Sequence, residues 1–214
     1  ASRPSGASAF FTCASVSALA ESLADDVASF LQIPAHRAIQ VDMEERVSPE
    51  IVRGVREGHA ALGVCWDAAE LGGLQSRPYR SDRLCVAVPP GHALASRTRL
   101  RLEDTLDFEH VSLPVNSAVQ VMLAQHAARL GRTLVHRVVV TNFEAALRVV
   151  RAGLAISVVP HEVVQPQAAD LGLRLVELAE PWALRRFIVC FRDQQQLAPA
   201  AQLLVAHLVS RGGA

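Results

Sequence analysis

Apolar positions along this chain follow two alternating rhythms. Short runs such as AFFTCAS (residues 9–15) and ALGVC (residues 61–65) are continuously apolar and bounded by small polar residues, as buried strands are. Between them, Leu19, Leu23, Val27 and Phe30/Leu31 fall on one helical stripe, for which Ser17 is the predicted N-cap. Ile39, Val41 and Met43 then alternate in AIQVDM, a strand with one buried face. Ser48-Pro49-Glu50 predicts a helix start with serine as N-cap, proline at N1 and an acid in the first turn. Ile51, Val52 and Val55 make its apolar face, and Gly58 stops it.

The second half repeats this order. HVSLP reads as a strand, and Ser117 caps a helix with Val119, Met122, Leu123, His126 and Leu130 on one face, closed by Gly131. HRVVV is the next strand. Thr141 and Glu144 form a predicted capping box before Phe143, Leu147 and Val150; Gly153 ends that helix, and LAISVVP is an apolar strand stopped by Pro160. The segments SPEIVRGVREGHAALGV and TNFEAALRVVRAGLAISVVP thus state one unit twice. Two β-α-β-α-β runs predict two α/β lobes with parallel sheets and right-handed crossovers. An apolar strand from Leu84 to Val88 leads from one lobe to the other, PWALRRFIVCFRD leads back, and a helix from near Pro199 closes the chain. The expected division is 9–84 plus 187–214 for the first lobe and 85–186 for the second, with 1–8 a residual linker.

Composition narrows the function. The 214 residues are half hydrophobic, and 21 basic side chains balance 21 acidic ones, so no basic surplus points to nucleic acid. Cys13, Cys65, Cys85 and Cys190 lie in apolar runs without zinc or CxxC spacing, which predicts reduced core thiols and a cytoplasmic protein; Cys13 alone adjoins a candidate site. The first residues lack the pattern of a signal peptide, and no apolar run is long enough to span a bilayer. No nucleophile elbow, zinc motif or phosphate-binding loop occurs, so no catalytic residue, metal or cofactor is assigned and the chain is read as not an enzyme.

Parallel sheets gather strand C-termini and helix N-termini on one edge, where ligands bind. The residues expected there are Ser15, Val16, Ser17 and Ser48 in the first lobe, and Asn116, Ser117, Thr141, Asn142 and Phe143 in the second. Hydroxyls, amides and helix N-termini of this kind hold a small anion, typically a carboxylate. The same residue types cap helices everywhere, which leaves either role open for each alone. Trp66, just past ALGVC, either walls the cleft or packs under a surface loop.

SVSALAESLADDVASFLQ, IQVDMEERVSPEIVRGVREG, PYRSDRLCVAVPPGHALA and FEAALRVVRAGLAISVVP, followed by PWALRRF, resemble in order and spacing the effector-binding domain of LysR-type transcriptional regulators. The resemblance covers about residue 8 to residue 210. It departs at Ala61, where the family has an acid. It implies a periplasmic-binding-protein-like (type 2) fold of two Rossmann-like lobes joined by two crossover strands. It also implies a small-molecule effector in the cleft, and the polar edges described above make the organic acids its expected class. By the same resemblance Ser15, Ser17, Ser48 and Thr141 hold the effector. The domain would pair as a homodimer, the helix Ser17–Leu31 of one copy meeting the second lobe of another, with a higher oligomer in the full regulator. DNA would be bound only by a winged helix-turn-helix that precedes this segment; no membrane is involved. The competing readings are a periplasmic solute-binding protein of a transporter and an enzyme on a two-lobe α/β scaffold.

Overall fold

The computed structural model describes residues 9–15, 19–115 and 117–212. They form two compact units, one from the residues up to Ser81 together with those from Arg186 onward, the other Asp82–Arg185. The first unit begins with β1 (Ala9–Ser15), α1 (Leu19–Leu31), β2 (Gln40–Arg46), α2 (Ser48–Glu57) and β3 (Leu62–Trp66). The long strand β4 (Gln75–Val88) carries the chain into the second unit. That unit holds β5 (Arg99–Leu100), α3 (Leu102–Thr105), β6 (Glu109–Ser112), α4 (Ala118–Arg129), β7 (Val135–Val139) and α5 (Phe143–Arg151). It continues with β8 (Ser157–Pro160), α6 (His161–Asp170) and β9 (Arg174–Leu178). Strand β10 (Leu184–Phe191) returns to the first unit, which α7 (Pro199–Arg211) completes.

In the first unit β1 lies parallel between β2 and β3, with Ser15 beside Arg46 and Ala14 beside Val64, so the C-terminal ends of the strands share one edge. Side chains alternate across this sheet. Leu62, Val64, Phe187 and Val189 face Leu23 and Phe30 of α1 and Leu204 and Leu208 of α7. Cys65 and Cys190 face Ile51 and Val55 of α2. Helix α2 comes so close that a Cβ on Gly63 would stand 2.4 Å from Ile51 Cγ2, which only glycine avoids. The helix ends where Gly58 takes φ 82°, with its N–H on the Val55 carbonyl.

The second unit packs α5 and α6 against β4, β6 and β8, around Cys85, Val111, Leu147, Val150, Val159 and Val164. Strands β6 and β7 are parallel, and a parallel bridge joins His110 to Ile156 at the entry to β8. The pattern predicts parallel pairing throughout, and here the structure differs. β10 runs antiparallel to β3, and β4 runs antiparallel to both β8 and β9. The strands that carry the chain between units have no helical crossover to turn them round, and so pair in the opposite sense. Helix α6, with Pro166 inside it, and the short β5, α3 and β9 are elements that the periodicity leaves unmarked.

Candidate functional site

On the first unit, the edge is built from the end of β1, the start of α2 and the end of β3. Ser15 is the last residue of β1; Val16 and Ser17 lie outside the described residues. The predicted cap on α2 is shifted by one position. Val47 is the N-cap, with extended φ −76° and ψ 149°, and its carbonyl accepts the N–H groups of Glu50 and Ile51. Ser48 and Pro49 are therefore the first two helical residues. Because Val47 brings no polar side chain, the helix start has no side-chain cap, and the half-buried Ser48 hydroxyl has no hydrogen-bond partner among the described residues. Arg46, at the end of β2, stands on the same edge and pairs with Glu44. Trp66 is half-buried against the core shared with α1 and α7.

On the second unit, Ser117 is the N-cap of α4: it is 6% exposed, and its Oγ accepts the Gln120 N–H at 3.3 Å. Asn116 lies outside the described residues. The predicted capping box at Thr141 is corrected. Asn142, with φ −148° and ψ 166°, caps α5 by accepting the Ala145 N–H at 2.9 Å. Glu144 turns instead to Arg148 one turn on, at 2.8 Å. Asparagine and threonine stood at adjacent positions, and the extended backbone at Asn142 decided between them. Thr141 is left exposed, with its hydroxyl uncommitted among the described residues. Phe143 packs half-buried on the core of this unit.

Three residues on this edge escape sequence reasoning. Ser112, the last residue of β6 and 5% exposed, meets His136 Nδ1 through its Oγ at 2.6 Å. The His136 Nε2 lies 3.5 Å from the amide of Gln120, itself 4% exposed. They meet because β6 and β7 pair in parallel with a register shift between His110 and Val111. Residue spacing carries no sign of that shift. The pair is no catalytic dyad, since the hydroxyl is buried and an amide, not a carboxylate, faces the second ring nitrogen. On β6, burial holds His110 down to about 4 while its Nε2 meets the Thr105 carbonyl at 3.0 Å, so it is neutral at pH 7.

Among the described residues, the edge of the second unit thus carries two helix N-termini, the amides of Gln120 and Asn142, the hydroxyls of Ser112, Ser117 and Thr141, and the His136 imidazole. Neutral donors and helix N-termini are groups of the kind that can hold a small anion. Among the described residues no group of His, Cys, Asp and Glu has the arrangement of a metal site, and no helix is long and apolar enough to cross a membrane. Cys65, Cys85 and Cys190 are buried free thiols, with Cys65 and Cys190 Sγ 3.9 Å apart. Burial, with Asp82 nearby, pushes the Cys85 thiol up to about 12.

Comparison with known proteins places the chain. The family model described as the LysR substrate binding domain matches residues 14–213. The effector binding domain of QuiR in complex with shikimate has a TM-score of 0.75 at 16% identity, covering 97% of this chain and 98% of that one. The Synechocystis PCC6803 CcmR regulatory domain in complex with 2-PG has a TM-score of 0.81 at 16% identity, with 96% and 97% covered. The RuBisCO operon transcriptional regulator of Allochromatium vinosum is 23% identical over 128 residues, which is 60% of this chain and 42% of that protein. The chain spans less than half the length of the curated relatives it matches, and both are named as regulators of gene expression.

Proposed function

Because the chain belongs to the LysR substrate binding domain family, we propose that it senses a small organic acid for a longer DNA-binding transcriptional regulator. The observation that carries this reading is the polar edge of the second unit. There the N-termini of α4 and α5 share a sheet edge with Ser112, Ser117 and the uncommitted Thr141. The residues proposed to contact the effector are Ser15, Val16, Ser17, Ser48 and Trp66 of the first unit, and Asn116, Ser117, Thr141, Asn142 and Phe143 of the second. The effector acts by binding one arrangement of the domain more tightly than another. The DNA-binding part lies in the portion of the regulator beyond this chain. The buried thiols fit a reducing, cytoplasmic setting. Shikimate and 2-PG, held by domains of the same fold, are the first compounds to try.

In a thermal-shift screen of organic acids, a true effector at a hundred times its Kd adds about 2.7 kcal/mol. For a chain of this size that raises Tm by roughly 5–10 °C. Thr141→Ala is the informative variant, because Thr141 is exposed and caps nothing, so a lost shift reports binding rather than folding. A folded chain whose Tm is unmoved by every acid in the panel would overturn the reading.

The same reading makes the domain a homodimer. Among the described residues strand β7 pairs with β6 alone, and it exposes Val135 and Val139, 52% and 58% accessible. Helix α1 exposes Ala24, Asp25 and Ala28, a smooth stripe on which such a strand can lie. We expect sedimentation at micromolar concentration to give a dimer, and Val135→Asp with Val139→Asp to give a monomer of unchanged fold. A wild-type monomer there would count against pairing through these elements.

A further inference from the structure

The second unit carries another cleft, on residues that take no part in the edge described above. It lies where the C-terminal end of α4 meets the start of α3 and the turn Pro181–Ala183, and it encloses about 180 Å³. One wall is aromatic: the rings of His126 and Trp182 stack with centroids 4.2 Å apart and planes at 16°. Beside the stack, Leu130 is 46% exposed.

Charges of both signs line this cleft, and they are unmatched. Arg101 and Arg129 both reach it, and neither guanidinium meets a carboxylate among the described residues. Glu180 uses Oε1 to accept the Leu102 N–H at 2.7 Å, but its Oε2 is buried and meets no donor among the described residues. A buried carboxylate oxygen without a donor calls for an explanation. Burial, with Arg129 nearby, outweighs Glu180 and keeps the His126 pKa below its ordinary value, which disfavours a third cation here.

The charges select the ligand. A simple anion would satisfy the arginines and be repelled by Glu180; a simple cation would meet the reverse. A group carrying both charges satisfies Arg101 and Arg129 with its negative charge and Glu180 and Glu103, which also lines the cleft, with its positive one, and the C-terminal end of α4 favours that positive end. The volume is roughly that of six waters at ~30 Å³ each, enough for a head group and a short side chain but not for a nucleotide. We propose that this cleft is a second ligand site, which binds a free α-amino acid with an apolar side chain. The ammonium donates to Glu180 Oε2, the carboxylate accepts from Arg101 and Arg129, and the side chain lies against Trp182 and Leu130.

The chain has two tryptophans, so 5-fluorotryptophan labelling gives two ¹⁹F resonances, which Trp182→Phe assigns. The probes are L-leucine, 4-methylpentanoate as its carboxylate-only counterpart and isoamylamine as its ammonium-only counterpart. Leucine is expected to move the Trp182 resonance saturably, while neither counterpart does. Glu180→Gln, which keeps the acceptor for Leu102, and Arg129→Ala, at an exposed position, should each weaken binding by about tenfold or more. Thr141→Ala should leave the titration unchanged, which separates this cleft from the effector edge. The proposal is overturned if leucine leaves Trp182 unmoved, if the carboxylate alone acts equally well, or if the shift survives in both folded variants.

Discussion

Replacing Asp26 with alanine lowers the stability of the chain by about 3–5 kcal/mol, the range for breaking a buried charge pair, and Tm by roughly 6–20 °C for a protein of this length. Asp26 lies on α1, 1% exposed, and gathers donors from two other elements of the first unit, β4 and α7. Tyr79 Oη donates at 2.5 Å, Arg80 donates twice at 3.0 and 2.9 Å, and Arg211 Nε donates at 3.1 Å. Removing the carboxylate strands a buried tyrosine hydroxyl and the Arg80 guanidinium together. It also loosens α7, whose end packs so close to β4 that a Cβ on Gly212 would stand 1.3 Å from the Tyr79 carbonyl oxygen. Arg211 is half exposed, and its loss alone is expected to cost about 1 kcal/mol or less.

This effect has a pH signature. Burial by itself raises the Asp26 pKa, but the hydrogen bonds from Tyr79, Arg211 and Arg80 outweigh it and hold the carboxyl below its ordinary value. A carboxylate with a lowered native pKa contributes stability that is fully present above its unfolded value of about 3.9. That contribution is lost as pH falls through the lower native value. The stability gap between wild type and Asp26→Asn is therefore constant above about pH 5 and narrows below pH 4. Urea unfolding at pH 7, 5, 4 and 3 measures it. A gap of undiminished size at pH 3 would show that the charge of Asp26 is not what stabilises the fold.

The second large effect lies where the chain passes between units. Asp82 on β4 and Arg185 on β10 are the first and last residues of the second unit. They form a two-pronged ion pair, Nε donating to Oδ1 at 2.7 Å and Nη2 to Oδ2, with both side chains 4% exposed. Asp82→Leu or Arg185→Met alone breaks this buried pair and is expected to cost about 3–5 kcal/mol. Replacing both, as Asp82→Leu with Arg185→Met, removes two desolvation penalties as well as the attraction, and should return stability to within about 2 kcal/mol of wild type. Denaturant unfolding of the four proteins forms a double-mutant cycle. Simple addition of the two single losses in the double variant would mean that the residues act through other contacts.

Much of the fold is legible because its causes are local. Gly58, Gly131 and Gly153 stop their helices as expected and take φ of 82°, 68° and 72°. The stripe Leu23, Val27 and Phe30 is buried as its spacing predicts. The candidate site is legible only as a set of positions. Which residue caps α5, whether Ser48 is free, and where the Trp66 ring lies each depended on neighbours that the local pattern does not name.

By itself, the sequence determined the elements of the β-α-β-α-β unit, their order and its two-fold repetition, because a helix or strand is set by side chains within a turn or two of one another. Tertiary structure decided the rest. It turned β4 and β10 antiparallel to their neighbours and shifted β6 against β7 so that Ser112 meets His136, 24 residues on. It buried Asp26 among partners 53 to 185 residues away in the chain. Those contacts depend on the path by which the chain returns, and no short stretch of sequence contains that path.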